Sequence, residues 1–155
     1  MQINGQPCAR AVIMGKGDCK DIKGEVLFYT KNNMVIVSAR ISGFPKSESS
    51  FHGFHIHEGD SCRGKDFSDT KGHFDPENQP HPFHAGDLPP LLSSSGIAYL
   101  EFLTNRFTVN EIIGKTVVIH SDADDLRSQL SGNSGEKIAC GVIKPICGAT
   151  RINNR

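Results

Sequence analysis

Two histidines one residue apart, in Gly53-Phe-His-Ile-His-Glu58, are the first residues in this chain whose spacing suits metal chemistry. Successive side chains of a strand point to opposite faces, so His55 and His57 share one face and Phe54 and Ile56 the other. Either histidine alone reads more readily as a surface or hydrogen-bonded residue; together they offer two imidazoles side by side. A second group follows in His73, His81, His84 and Asp87, the last three within His81-Pro-Phe-His-Ala-Gly-Asp87. There Pro82 argues against a regular helix and for a tight wrap. Three imidazoles and one carboxylate with no open position suit a tetrahedral structural zinc site. His120 ends the apolar run Thr116-Val-Val-Ile-His120, so a strand can carry it to the His55/His57 face; the alternative is a buried, satisfied histidine. An all-imidazole set suits copper, whose oxidised form favours a tetragonal arrangement of nitrogens, while the mixed set suits zinc. These residues account for six of the seven histidines, and clustering by chance explains that poorly.

The elements that must position them read as β. Short apolar runs rich in β-branched residues are bounded by Gly, Pro, Ser, Asp or Asn, and no sustained helical period is found. The pattern predicts strands near Arg10–Met14, Gly24–Thr30, Met34–Ile41, Gly53–His57, Gly96–Leu103, Phe107–Asn110, Thr116–His120 and Ala139–Ile143. Lys31-Asn32-Asn33 joins the second and third as a hairpin, since Asn tolerates left-handed backbone. Two long irregular stretches remain, one from His57 to Gly96 and one from Ser121 to Lys137, and loops of such length are commonly functional.

At 155 residues the chain has room for one hydrophobic core, so a single domain over 1–155 is expected. Lys plus Arg and Asp plus Glu number 17 each, with no large basic cluster, which speaks against nucleic-acid or anionic-membrane partners. No stretch approaches the length of a membrane helix, and the start lacks the basic and apolar regions of a signal peptide. A soluble, cytoplasmic protein is the expectation, with export followed by removal of a leader as the alternative. Five cysteines, at positions 8, 19, 62, 140 and 147, leave at least one thiol free or paired between chains. Gly15-Lys-Gly17 lies between predicted strands and is no phosphate loop.

Gly53-Phe-His-Ile-His-Glu58, Gly72-His-Phe-Asp-Pro76, His84-Ala-Gly-Asp-Leu-Pro89, Val117-Val-Ile-His120, Ala123-Asp-Asp-Leu126 and Ala139-Cys-Gly-Val-Ile143 together resemble the copper/zinc superoxide dismutase family, in its bacterial form, over nearly the whole chain. The resemblance implies an eight-stranded Greek-key β-barrel or sandwich with two functional loops. It implies copper on His55, His57, His73 and His120, and zinc on His73, His81, His84 and Asp87, with His73 bridging. Asp124 would hydrogen-bond the outer nitrogens of His55 and His81, and Cys62 and Cys140 would form a disulfide. The implied activity converts superoxide to oxygen and hydrogen peroxide by copper redox cycling, with His73 releasing copper on reduction to carry a proton. Cys8, Cys19, Cys147 and His52 receive no role.

Three features depart from the family pattern. Lys137 stands where the family carries a substrate-guiding arginine, keeping charge but not the forked geometry, so activity below the family norm is expected. The stretch from Leu126 to Gly132 is shorter than the charged loop of eukaryotic members, which implies weaker steering and a more open copper. His57-Glu-Gly-Asp-Ser-Cys62 is also short, which disfavours the eukaryotic route to a dimer and leaves monomer or homodimer open. Two rival functions are a copper/zinc-binding carrier or buffer with little dismutase activity, and a zinc hydrolase built on His55, His57 and His120. The hydrolase would need Glu58 to activate water, and strand alternation turns Glu58 away.

Overall fold

The computed structural model describes residues 3, 5–46 and 50–146. Nine strands form one antiparallel sheet: β1 (Ala9–Gly15), β2 (Lys23–Lys31), β3 (Met34–Ser42), β4 (Ser50–His52), β5 (Phe54–His57), β6 (Leu91–Ser94), β7 (Ile97–Thr104), β8 (Thr116–His120) and β9 (Lys137–Pro145). Their spatial order is β4-β6-β7-β3-β2-β1-β9-β8-β5. The two edge strands, β4 and β5, are consecutive in the chain with only Gly53 between them. One short segment therefore belongs to both edges, which requires the sheet to curl into a nearly closed barrel and removes its free edges. The all-β architecture agrees with the expectation, with nine strands where eight were predicted.

Alternation builds the interior. Ala9, Ala11 and Ile13 of β1 are buried while Arg10, Val12 and Met14 between them are exposed. Val26 and Phe28, Val37, Ala39 and Ile41, Phe54 and Ile56, Val117 and Ile119, and Ala139 and Ile143 complete the same core. Each large side chain buried this way contributes about 1.5–3 kcal/mol. Between β2 and β3 the turn residues Asn32 and Asn33 have φ of 50° and 61°, the left-handed pair a two-residue hairpin needs. Cys62 and Cys140 are bonded, with Cα atoms 5.8 Å apart, and tie the loop after β5 to β9. Closing a 78-residue separation stabilises the fold by about 4.5 kcal/mol in the chain-entropy picture.

Three expectations need correction. Phe107–Asn110 is not a strand; the chain forms a one-turn helix, α1 (Val109–Ile112), directly after Thr108. Glu111 accepts the Thr108 N–H at 2.7 Å and its hydroxyl at 2.8 Å, a capping interaction that outweighs the β-like look of Phe107-Thr-Val. The stretch from His57 to Gly96 is not wholly irregular, because Leu91–Ser94 forms β6 and pairs with β4 and β7. A separate short strand, β4, precedes Gly53. Cys147 lies outside the described residues, while Cys8 and Cys19 carry free thiols. No helix among the described residues is long and apolar enough to cross a membrane.

Candidate metal centre

β5 pairs with β8 along one side, and the long loop after it folds back along the other. Ile56 N–H donates to Gly86 O at 2.9 Å, Phe74 N–H to Ile56 O at 2.8 Å, and Gly86 N–H to Phe74 O at 2.8 Å. These bonds seat His73 and Asp87 beside His57 and His55. The approach is close enough that a Cβ on Gly86 would run into the Ile56 carbonyl, so the loop needs glycine there. β8 supplies His120 from the opposite side, and its register with β9 shifts between Ile119 and His120. That bulge skips Ile138 and sets Lys137 opposite His120.

The side chains so placed form two four-residue groups, His55, His57, His73 and His120, and His73, His81, His84 and Asp87. Each residue offers one donor atom, and the donors within a group lie within 4.8 Å of one another. Asp87 is the centre of the second group: its Oδ1 is 2.7 Å from His73 Nδ1, and its Oδ2 is 3.1 Å from both His81 Nδ1 and His84 Nδ1. In the first group, the Nε2 atoms of His57 and His120 face each other at 3.4 Å.

The remaining ring nitrogens are fixed from outside, which settles which ones face inward. Asp124 accepts from His55 Nε2 at 2.6 Å and from His81 Nε2 at 2.9 Å, leaving Nδ1 of both rings inside. His57 Nδ1 donates to Lys71 O at 2.8 Å and His120 Nδ1 to Gly135 O at 3.3 Å, leaving Nε2 of both. His55 Nδ1 and His73 Nε2 are buried without a hydrogen-bond partner, and His81 Nδ1 is buried with only the ion-pair contact to Asp87 Oδ2 and no hydrogen bond. Unpartnered buried nitrogens are costly unless something else binds them, and inward-facing imidazoles with outward bonds are the arrangement metal sites use. The residues present therefore fit one imidazole-rich ion and one mixed His/Asp ion with His73 between them.

Electrostatics point the same way. Burial keeps His55 neutral, and burial plus the neighbouring His73 holds His57 well below the usual imidazole range. Burial and the adjacent His55 push His120 down to about 3. Neutral imidazole is the ligating form, so these rings need shed no proton to bind. Burial opposes ionisation of Asp124, but hydrogen bonds from His55, the Leu126 N–H and His81 outweigh it and hold the carboxyl well below its normal range. Asp87 is ionised for a similar reason, burial being overcome first by the His73 hydrogen bond.

Several residues outside the predicted set shape the site. Arg106 Nη1 donates to Pro82 O at 3.0 Å, His84 O at 3.3 Å and Asp87 O at 3.1 Å, gathering the turn that carries two donors. The Gln129 carboxamide pairs with the His81 backbone in both directions, at 3.0 Å and 2.9 Å. Gly132, at φ 67°, packs where a Cβ would strike the Asp124 carboxylate. His52 is excluded from both groups: it stacks on Phe44, and its nitrogens meet His120 O and Ser93 Oγ at 3.0 Å each. Glu58 turns to the surface and pairs with Lys115 at 2.7 Å, which removes the general base the hydrolase reading required. The ammonium of Lys137 donates to Thr70 Oγ1 at 2.7 Å and Lys71 O at 2.9 Å.

A family model described as copper/zinc superoxide dismutase matches residues 22–143. Among curated proteins, "Superoxide dismutase [Cu-Zn]" of Deinococcus radiodurans is 34% identical, covering 92% of this chain and 87% of the relative. "Superoxide dismutase [Cu-Zn] 2" of Aquifex aeolicus is 32% identical over 80% of each chain. "Superoxide dismutase [Cu-Zn] A" of Xenopus laevis is 34% identical over 87% of this chain and 95% of its own length. The matched region holds every histidine and aspartate of the two donor groups, and with relatives this similar across most of their lengths, the chain belongs to the copper/zinc superoxide dismutase family.

Proposed function

We propose that this chain works as one domain that converts superoxide to oxygen and hydrogen peroxide, with copper held by His55, His57, His73 and His120 and zinc by His73, His81, His84 and Asp87. The observation that carries this reading is the sharing of His73 by two groups of different chemistry, one all imidazole and one closed by a carboxylate. Bound copper supplies one-electron redox chemistry, and bound zinc supplies structure and charge at the shared imidazole.

The chain's own residues divide the remaining work. His73 keeps Nδ1 beside Asp87 and leaves Nε2 buried without a hydrogen-bond partner on a ring grouped with His55, His57 and His120, so Nε2 is the atom free to hold and hand on a proton. Asp124 fixes the tautomers of His55 and His81 at once and couples the two sites through one carboxylate. Lys137, opposite His120, places a positive charge near the copper-side rings and attracts the anionic substrate. As a point charge it lacks the planar fork of arginine, and Lys137→Arg is expected to raise the dismutation rate per copper.

The test is dismutation by protein loaded to one copper and one zinc per chain, with both metals quantified. Turnover that falls when copper alone is withdrawn supports the reading. A negligible rate at full occupancy of both sites would replace it with a metal carrier, the alternative that the arginine-to-lysine change favours.

A further inference from the structure

Lys137 reaches the site through a bulge and then depends on two neighbours for its final position. Its ammonium has three N–H groups, and two of them go to Thr70 Oγ1 at 2.7 Å and Lys71 O at 2.9 Å. Both acceptors are uncharged. No carboxylate among the described residues lies within ion-pair distance of Nζ, so the charge is half-buried and uncompensated. Thr70 is fully buried, and its own hydroxyl hydrogen goes to Phe67 O at 2.8 Å, which leaves its lone pairs turned to Lys137. Lys71 O also accepts from His57 Nδ1 at 2.8 Å, so one carbonyl places the ammonium and a copper-side ring in a common frame. Phe67 in turn packs with Val118 against the Cys62–Cys140 bridge, which gives the Thr70 hydroxyl a fixed support.

We propose that Thr70 is a positioning residue for the anion site: its hydroxyl, acting with the Lys71 carbonyl, holds the Lys137 ammonium so that one N–H remains for a small anion beside His57 and His120. The physical need is specific to lysine. Arginine presents a rigid planar fork, whereas lysine carries its charge on a four-carbon stem with many rotamers and must be held from outside. The inference rests on the proposed anionic substrate, and it deepens that reading by assigning the residue that sets where the anion sits.

The experiment is azide titration of the copper- and zinc-loaded protein, read by the absorbance of copper(II), with metal content measured for each variant. Thr70→Val keeps the shape and removes the hydroxyl, and it is expected to weaken azide binding by roughly tenfold, the lower end of the scale of one hydrogen bond to a charged group. Thr70→Ser should restore affinity to within about twofold of wild type, since the hydroxyl returns. In a Lys137→Met background Thr70→Val should add no further loss, because there is no ammonium left to place. Wild-type affinity in Thr70→Val, or the same loss persisting without Lys137, overturns the proposal. A measurement on the wild type guards against a variant that fails to fold: under reductive methylation Lys137 should react more slowly than exposed Lys31, and equal rates also overturn the proposal. Loaded wild-type protein that binds azide without dismutating superoxide would refute the functional reading alone, and the azide series would still decide the role of Thr70.

Discussion

The two donor groups meet at His73, yet they are positioned by opposite means. His55, His57 and His120 project from β5 and β8, strands whose register is set by a hydrogen-bonded ladder and a fully buried opposite face. His73, His81, His84 and Asp87 lie on a loop that makes no strand of its own and is held by bonds from elsewhere: backbone of β5, the guanidinium of Arg106, the carboxamide of Gln129 and the carboxylate of Asp124. A sheet places ligands through the same forces that fold the barrel, so its site is as stable as the core. A loop must be gathered residue by residue, and its site is then sensitive to groups that never touch a metal. The zinc side should therefore fail first and by more routes than the copper side.

The largest effect should come from Asp87→Ala, which removes a donor and the hub that contacts three histidines. Zinc affinity is expected to fall by more than about 100-fold, measured by chelator competition, with His55, His57 and His120 still binding copper. Asp124→Asn comes next and is the one change expected to cross the divide. The amide nitrogen cannot accept and the remaining neutral oxygen accepts more weakly than a carboxylate, so one of His55 and His81 loses its acceptor, the other keeps a poorer one, and both metals should weaken by roughly 10–100-fold. A loss confined to one metal would show that the carboxylate does not couple the sites.

Arg106→Met should sharpen the contrast. It removes the donor shared by three loop carbonyls, and a partly exposed charged hydrogen-bond donor of this kind is worth about 1–2 kcal/mol, so zinc affinity should drop about tenfold while the copper spectrum stays unchanged. Acid should act on the strand-borne side of the metal-free protein. His52, His55, His57 and His120 are held below the usual imidazole range chiefly by burial, so below pH ~6.5 the unfolded chain binds protons that the folded chain refuses. Stability should then fall as pH drops from 7 to 5, by up to ~1.4 kcal/mol per pH unit for each histidine. His52→Gln, which leaves every donor side chain of both groups in place, should lower that slope by one proton in urea unfolding. The smallest effect is Glu111→Gln, where loss of an exposed cap should cost under about 1 kcal/mol and leave both metals bound.

The same contrast decides what the sequence made legible. His55, His57 and His120 could be placed on a common face because strand alternation is a local rule, and Thr116–His120 was readable to the residue from its apolar run. The loop residues were legible by type alone, since nothing in Asn105-Arg-Phe107 or Ser128-Gln-Leu130 signals that Arg106 and Gln129 reach back to Pro82 and His81. Those contacts exist only once the barrel has closed. β6 was hidden because Leu91-Leu-Ser-Ser94 is short and alternates weakly, and β4 because Gly53 looked like the start of a single strand. The helix at Val109 did have a visible signal, Thr108 followed three residues later by Glu111, which outweighs the alternation of Phe107 and Val109. Thr70 carried no signal at all: its part in holding Lys137 depends on the bulge after Ile119.

The most direct test of the whole reading is the dismutation rate per copper atom in protein whose copper and zinc are both quantified, compared between wild type and His120→Ala. Turnover that depends on His120, with zinc content unchanged by the substitution, is the predicted result. A rate that is negligible in fully loaded wild type, or that survives the loss of His120 undiminished, would contradict it.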